Sequence, residues 1–330
     1  MNSRPSRAAL IAGFATIYLV WGSTYLGIRI AVETLPPFLM AGVRFVVAGT
    51  IIAGFVALTR GFKATAHQWR DNALIGGFLL LGGNGLVSWA EQKTPSGIAT
   101  LMVSVGPLFI VLLDWLVHAI FKDGRRGNRP TLLTFVGLAL GFFGLVLLVG
   151  PNVMEAGVGH LEGPRVLALL GACFFWGVGS VYTRYAREPA EPFTGAAMQM
   201  LCGGGWLLLA SLLIGEPLHF DLAAVSARSL GAWAYLVVFG SLIAFTTFVW
   251  LMKHSTPTRV STYAYVNPVV AVFLGWLVLH EPVSPRIFAA AAIIIAGVAI
   301  ITLATVRKIP TAGPRQAVAA EPDATTAERG

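Results

Sequence analysis

Runs of about twenty apolar residues recur along the whole chain, from "LIAGFATIYLVWGSTYLGI" near its start to "IFAAAAIIIAGVAIITLATV" near its end. A helix needs that length to cross a hydrocarbon core of ~30 Å at ~1.5 Å per residue. Lipid offers an unpaired backbone no partner, so each run is expected to be helical. The runs fall at 8–30, 36–58, 72–91, 97–120, 131–150, 166–186, 193–214, 230–252, 258–280 and 286–305. Composition agrees: 56% of the residues are hydrophobic and only 12% are charged, where a water-soluble domain carries roughly a quarter charged residues. The expectation is an all-α integral membrane protein with ten transmembrane helices.

The first run follows Arg4 and Arg7 but is too long for a secretory signal and has no cleavage site. Cys173 and Cys202 both lie inside runs, which predicts two small buried hydrophobes rather than a disulfide. The net charge of +8 is distributed by loop. One set of connections holds Arg60, Lys63 and Arg70, then Lys122, Arg125, Arg126 and Arg129, then Arg184 and Arg187, then Lys253 and Arg259; the other holds Glu33, Glu155, Glu162, Glu216, Asp221 and Glu281. The positive-inside rule then puts the basic loops and both termini in the cytoplasm. It also accounts for the basic residues without nucleic acid as a partner. Beyond Lys308 the sequence is rich in Ala, Pro, Thr and Glu, so 307–330 is expected to be a disordered cytoplasmic tail.

The chain repeats itself. "VWGSTYLGIR" at 20–29 aligns with "FWGVGSVYTR" at 175–184, matching Trp21 to Trp176, Gly22 to Gly177 and Arg29 to Arg184. At the same offset Pro37 and Phe38 match Pro192 and Phe193. "TPSGIATLMVSVGPLFIVLLDWLV" (94–117) aligns with "TPTRVSTYAYVNPVVAVFLGWLV" (256–278), pairing Pro107 with Pro268 and Trp115 with Trp276. Five spans per repeat, an odd number, force the second half to enter the membrane from the opposite side. The predicted architecture is therefore two inverted five-helix repeats, 1–150 and 151–306, which can exchange conformations about a midplane site. Pro107 and Pro268 stand near mid-span in both halves, where each removes a backbone hydrogen bond and predicts a helix break. Asn267 adds an amide there; the alternatives are a cavity-lining break and a packing kink bonded to a neighbouring helix.

At these residues the chain resembles the EamA family of the drug/metabolite transporter superfamily, ten-helix proteins of the bacterial inner membrane. The likeness runs over about 8–306 and rests on "VWGSTYLGIR", "PPFLMAGVRF", "AEQKTPSGIATL" and "TYAYVNPVVAVFLGWLVLHEPVS". It implies transport of small polar or amphipathic molecules, commonly export of amino acids, related metabolites or toxic analogues. Family halves often place an acid just after the fourth helix; here the second half has Glu281, and the first has Ile120–Phe121–Lys122.

A charge deep in a bilayer costs about 2.5–3.5 kcal/mol on insertion scales, so each one calls for a partner or a task. Arg44 lies about eight residues, or ~12 Å, into the second span. It could take a substrate carboxylate, or serve as a structural cation on helix-end carbonyls. Its repeat counterpart is the neutral Gln199. Glu91 stands two turns from Asn84 on about the same face and could either line a cavity or sit wet at the interface. Asp114 and His118, four apart, could relay protons or reach together toward headgroups. Two ligands are too few for a metal.

Trp21 and Trp176 fall at mid-span, away from an interfacial belt, which leaves helix packing or a cavity wall. The expected substrate-contacting set is Trp21, Tyr25, Asn84, Ser104, Trp176, Tyr263 and Asn267, with Arg44 and Glu91 as charged contributors. No G-x-x-x-x-G-K-[ST] loop is present, so no nucleotide cofactor is expected and an ion or substrate gradient would supply the energy. Expected partners are a small-molecule substrate and the lipid bilayer, and a homodimer is compatible with the sequence. A non-transporting receptor or complex subunit would call for a large soluble surface, and an intramembrane enzyme for grouped acids, a metal cluster or a nucleophile with its base.

Overall fold

The computed structural model describes residues 6–121, 132–154, 162–183, 185–187, 189, 191–255, 260 and 263–306. Among them every regular element is helical. In chain order they are α1 (Arg7–Ala31), α2 (Pro37–Thr59), α3 (Ala66–Glu91), α4 (Ser96–Val103), α5 (Gly106–Phe121), α6 (Leu132–Met154), α7 (Gly163–Tyr182) and α8 (Pro192–Leu213). Then Ala227–Tyr235, Leu236–Ile243 and Ala244–His254 run on as one rod, α9, followed by α10 (Tyr263–Leu279) and α11 (Pro285–Val306). Among the described residues, seven helical stretches are long and apolar enough to cross a membrane, one of them Ser96–Val117 through α4 and α5, and Leu132–Leu148, Val266–Leu279 and Pro285–Ile300 are shorter apolar stretches. The expected tail, 307–330, lies outside the described residues.

Helix starts follow local chemistry. Ser6 caps α1 by accepting from Ala9 N–H, and Pro37 opens α2, where its missing donor costs nothing. Thr65 and Gln68 cap α3 reciprocally, each side chain accepting from the other's backbone N–H.

Two helix pairs approach closely. α2 packs along α8 and α6 along α11. Glycines permit this, because lipid supplies no hydrophobic drive and backbones must come near for dispersion to hold them. A Cβ on Gly204 would lie 2.9 Å from the Val46 nitrogen and 3.0 Å from the Gly42 oxygen. A Cβ on Gly297 would lie 2.7 Å from the Gly141 nitrogen and 2.8 Å from the Gly137 oxygen. The α2–α8 pair is antiparallel and tied at both ends. Glu216, just past α8, accepts from the N–H groups of Phe38 (3.2 Å) and Leu39 (2.7 Å), and Arg60, just past α2, pairs with Glu191 at 2.5 Å. Inside these pairs, α1 packs on α10 and α9, while α7 packs on α5 and α3.

Two departures from regular helix matter for the site. Gly77–Gly85 in α3 and Leu236–Ile243 in α9 are π-helical, the wider turn that often marks functional positions. The two expected proline breaks differ. Regular helix is interrupted at Ser104–Val105, and Pro107 then sits in the first turn of α5. Pro268, by contrast, lies inside α10 without interrupting it, which corrects the expectation of a break there. Its missing N–H deprives the Ala264 carbonyl of its usual donor.

The crossings predict a contrast between two alanine substitutions. Gly297→Ala lowers the thermal stability of the purified protein by about 1–3 kcal/mol, because backbone must move. Gly205→Ala, with nothing within 4 Å of its Cβ position, leaves stability unchanged or slightly raised. Thermal unfolding of both variants in one detergent checks this.

Candidate functional site

The first cluster forms where α1, α9 and α10 meet. Trp21 and Tyr263 pack edge to face with ring centroids 4.9 Å apart, and Phe248 stands 5.2 Å from Trp21. The Trp21 indole N–H donates to the Gly240 carbonyl at 3.3 Å, within the π-helical part of α9. Arg44 reaches the same stretch from α2. It is buried, its Nε donates to Ser241 Oγ at 3.0 Å, and its guanidinium carbon lies 4.8 Å from the Phe45 ring centre. Its Nη1 has no hydrogen-bond partner. A Cβ on Gly240 would come within 3.1 Å of Arg44 Nη2 and of Thr24 Cγ2, so glycine makes the room for the guanidinium.

A related arrangement stands on the other π-helical segment. Trp176 lies against Gly83, where an added Cβ would be 2.9 Å from the indole ring, and Phe175 covers Gly82 in the same way. Next to them the Asn84 side-chain oxygen is buried without a partner. Trp176 itself is 41% exposed, whereas Trp21 is half-buried. Asn267 is buried on α10, its side-chain oxygen unpartnered, and its Cα lies 3.4 Å from where a Cβ of Gly22 would be. Tyr25 packs against the core around Met102, Leu169 and Cys173. Ser104 donates to the Leu101 carbonyl at 2.6 Å, so its hydroxyl serves its own helix end at the α4–α5 break.

Beyond these clusters, one end of the bundle is tied shut between the two halves of the chain. Glu281 accepts from Ser96 N–H (2.7 Å), Ser96 Oγ (2.9 Å) and Gly97 N–H (3.1 Å), capping α4. His280, at φ 52°, makes the left-handed turn that brings Glu281 round, and Glu281 N–H closes on the Gly275 carbonyl at 3.1 Å. The buried Arg165 donates to the Trp89 carbonyl and lies 3.7 Å over the Trp89 ring. Lys93 pairs with Glu162 at 2.8 Å, which holds the Glu162 carboxyl below its ordinary pKa. Glu91 sits at the same end, fully buried, with both carboxylate oxygens unpartnered and within electrostatic reach of Glu281 and Arg29. It is therefore not a wet interfacial acid.

Asp114 is half-buried on α5, and the His118 side chain lies outside the described residues. A cavity of about 510 Å³ opens between α2, α3, α7 and α8, walled by Phe38, Phe78, Leu81, Phe175 and Trp206 among others, and none of the expected site residues lines it. Phe248, Ser241, Arg165 and the Glu281 cap went unpredicted as parts of the site. The Gly82–Gly83–Asn84–Gly85 run, poor in helix formers, was the available signal for the first π-helical stretch.

Comparison with known proteins fits this architecture. The family described as "EamA-like transporter family" matches residues 8–150 and 164–303. The chain is 38% identical over 299 residues to an uncharacterized inner membrane transporter, YedA, of Escherichia coli K12, covering 89% of this chain and 90% of that protein. It is 29% identical to protein PecM of Dickeya dadantii, covering 80% and 82%. A solved crystal structure covers 92% of this chain and 99% of its own, with a TM-score of 0.60 at 25% identity.

The Glu281 cap supplies the second test. Glu281→Ala leaves two backbone N–H groups and a hydroxyl of Ser96–Gly97 without their acceptor and lowers thermal stability by about 1–3 kcal/mol. Glu281→Gln, which keeps one acceptor oxygen, loses less. Thermal unfolding of both variants at equal lipid content reads the difference.

Proposed function

The chain belongs to the EamA-like transporter family, and from that premise we propose an alternating-access carrier, an exporter of small metabolites such as amino acids or related amphipathic compounds. In this reading ten spans form two inverted repeats, 1–150 and 151–306, in a bacterial inner membrane with both termini cytoplasmic.

The observation that carries the reading is an exchange pattern in the packing. α2 meets α8 and α6 meets α11, each the repeat counterpart of the other; α1 packs on α10 as α7 packs on α5. Trp21 and Trp176 each lie against a π-helical stretch, and those stretches occupy matching spans. Such an arrangement is what two halves related by an in-plane axis produce, and it lets them trade conformations. The ties from Glu281, Arg165 and Lys93 close the end that carries the acidic loops, so this conformation is shut toward the outside. The substrate is held between Trp21, Tyr263 and Asn267 on one side and Asn84 and Trp176 on the other. The two sets stand on matching spans of the two halves and change places in the cycle as the halves exchange.

The test is an untargeted comparison of intracellular and extracellular metabolites in bacteria producing the wild type, Trp21→Ala or Asn267→Ala at equal membrane protein level. One compound class is expected to leave the cell with the wild type, and at least tenfold more slowly with either variant. Equal export by wild type and variants would reject the site, and profiles that match cells without the protein would reject the carrier.

A further inference from the structure

Arg44 differs from two other arginines among the described residues, the buried Arg165 and the half-buried Arg286. Arg286 donates from Nε to the Leu147 carbonyl at 2.6 Å and from Nη2 to the Leu148 carbonyl at 2.7 Å, and Arg165 donates to the Trp89 carbonyl. Those are structural cations settled on helix carbonyls. Arg44 is 4% exposed, and its Nε donates to a neutral hydroxyl, Ser241 Oγ. Nη1 has no partner, and among the described residues no carboxylate lies within ion-pair distance of it. The carbonyl beside it, that of Gly240, is already taken by the Trp21 indole. An unneutralised guanidinium held eight residues into a membrane helix is expensive, and the expense persists unless an anion compensates it at some stage of the cycle.

What stands beside the cation narrows the anion. Gly240 presents its face to the guanidinium and its carbonyl to the indole, so the Arg44 head and the Trp21–Phe248–Tyr263 rings are separated by a single residue. We propose that Arg44 is the anion-binding group of the transport site and that its ligand is a small amphipathic carboxylate, whose apolar or aromatic body rests on those rings. The proposal rests on the carrier reading and names its substrate class. A carboxylate would accept from Nη1, satisfying the donor left orphaned here, and the water-poor surroundings strengthen that bond. Gln199, the counterpart in the other half, carries no charge, so the carboxylate end always faces the first repeat.

The experiment uses the full chain in lipid nanodiscs and two probes of nearly the same shape, 3-phenylpropionate and its amide, 3-phenylpropionamide. The acid raises the melting temperature of the wild type and the amide does not. Arg44→Gln weakens binding of the acid about 30-fold or more, and Arg44→Lys falls between, since an ammonium keeps the charge but loses the planar fork. The proposal is overturned if the wild type is stabilised equally by acid and amide, if it binds neither, or if Arg44→Gln binds the acid as the wild type does. Should Arg44→Gln fail to fold, the comparison of acid with amide on the wild type decides alone. Export that Arg44→Gln leaves unchanged overturns the anion site while the carrier stands. An acid-over-amide preference in a protein that exports nothing leaves the anion site and removes the carrier.

Discussion

Inside a bilayer a backbone amide has only protein to bond to, and every feature of this molecule answers to that constraint. It makes the spans helical, and it decides where they can depart from regular helix. The π-helical stretches of α3 and α9 and the α4–α5 break lie where neighbouring helices can take up what the ladder releases. Gly240 shows how: its carbonyl, in a widened turn, is received by an indole from α1. The same widened turn opens the space that a guanidinium from α2 enters. Polar chemistry enters the membrane interior here through irregular backbone.

Close approach is the second consequence. With no hydrophobic drive between helices in lipid, contact must come from fit, and the α2–α8 and α6–α11 crossings obtain it by bringing backbone against backbone at Gly204 and Gly297. The two tight pairs contrast with α1, α3, α7 and α9, where the π-helical turns and the Trp21–Phe248 and Trp176–Phe175 rings lie.

Much of this was readable from the chain. Pro37–Thr59 and Pro192–Leu213 fall within a residue or two of the limits expected from apolar runs, because hydrocarbon thickness fixes length and proline fixes the start. The burial of Arg44 follows from its depth in a run. Its lack of an acidic partner does not, since pairing depends on which helices become neighbours. Pro268 was expected to break its span and the helix runs through it: the sequence shows that a proline removes a donor, not whether the helix continues past it. Glu281 was placed among the loop acids and Arg165 was not singled out; only the meeting of distant helix ends gives them Ser96 and Trp89. By position Glu91 could have lined a cavity or sat wet at the interface; the structure buries it completely.

The cap on α4 also bears on how the protein is made. The N–H groups of Ser96 and Gly97 receive their acceptor from Glu281, which a ribosome adds long after the fourth span has left it. Until then that helix start waits at the membrane surface, its donors served by water, and the first half cannot adopt its finished form. The bundle is therefore completed from its far end: synthesis of the turn after α10 is the event that locks a helix laid down in the first third of the chain.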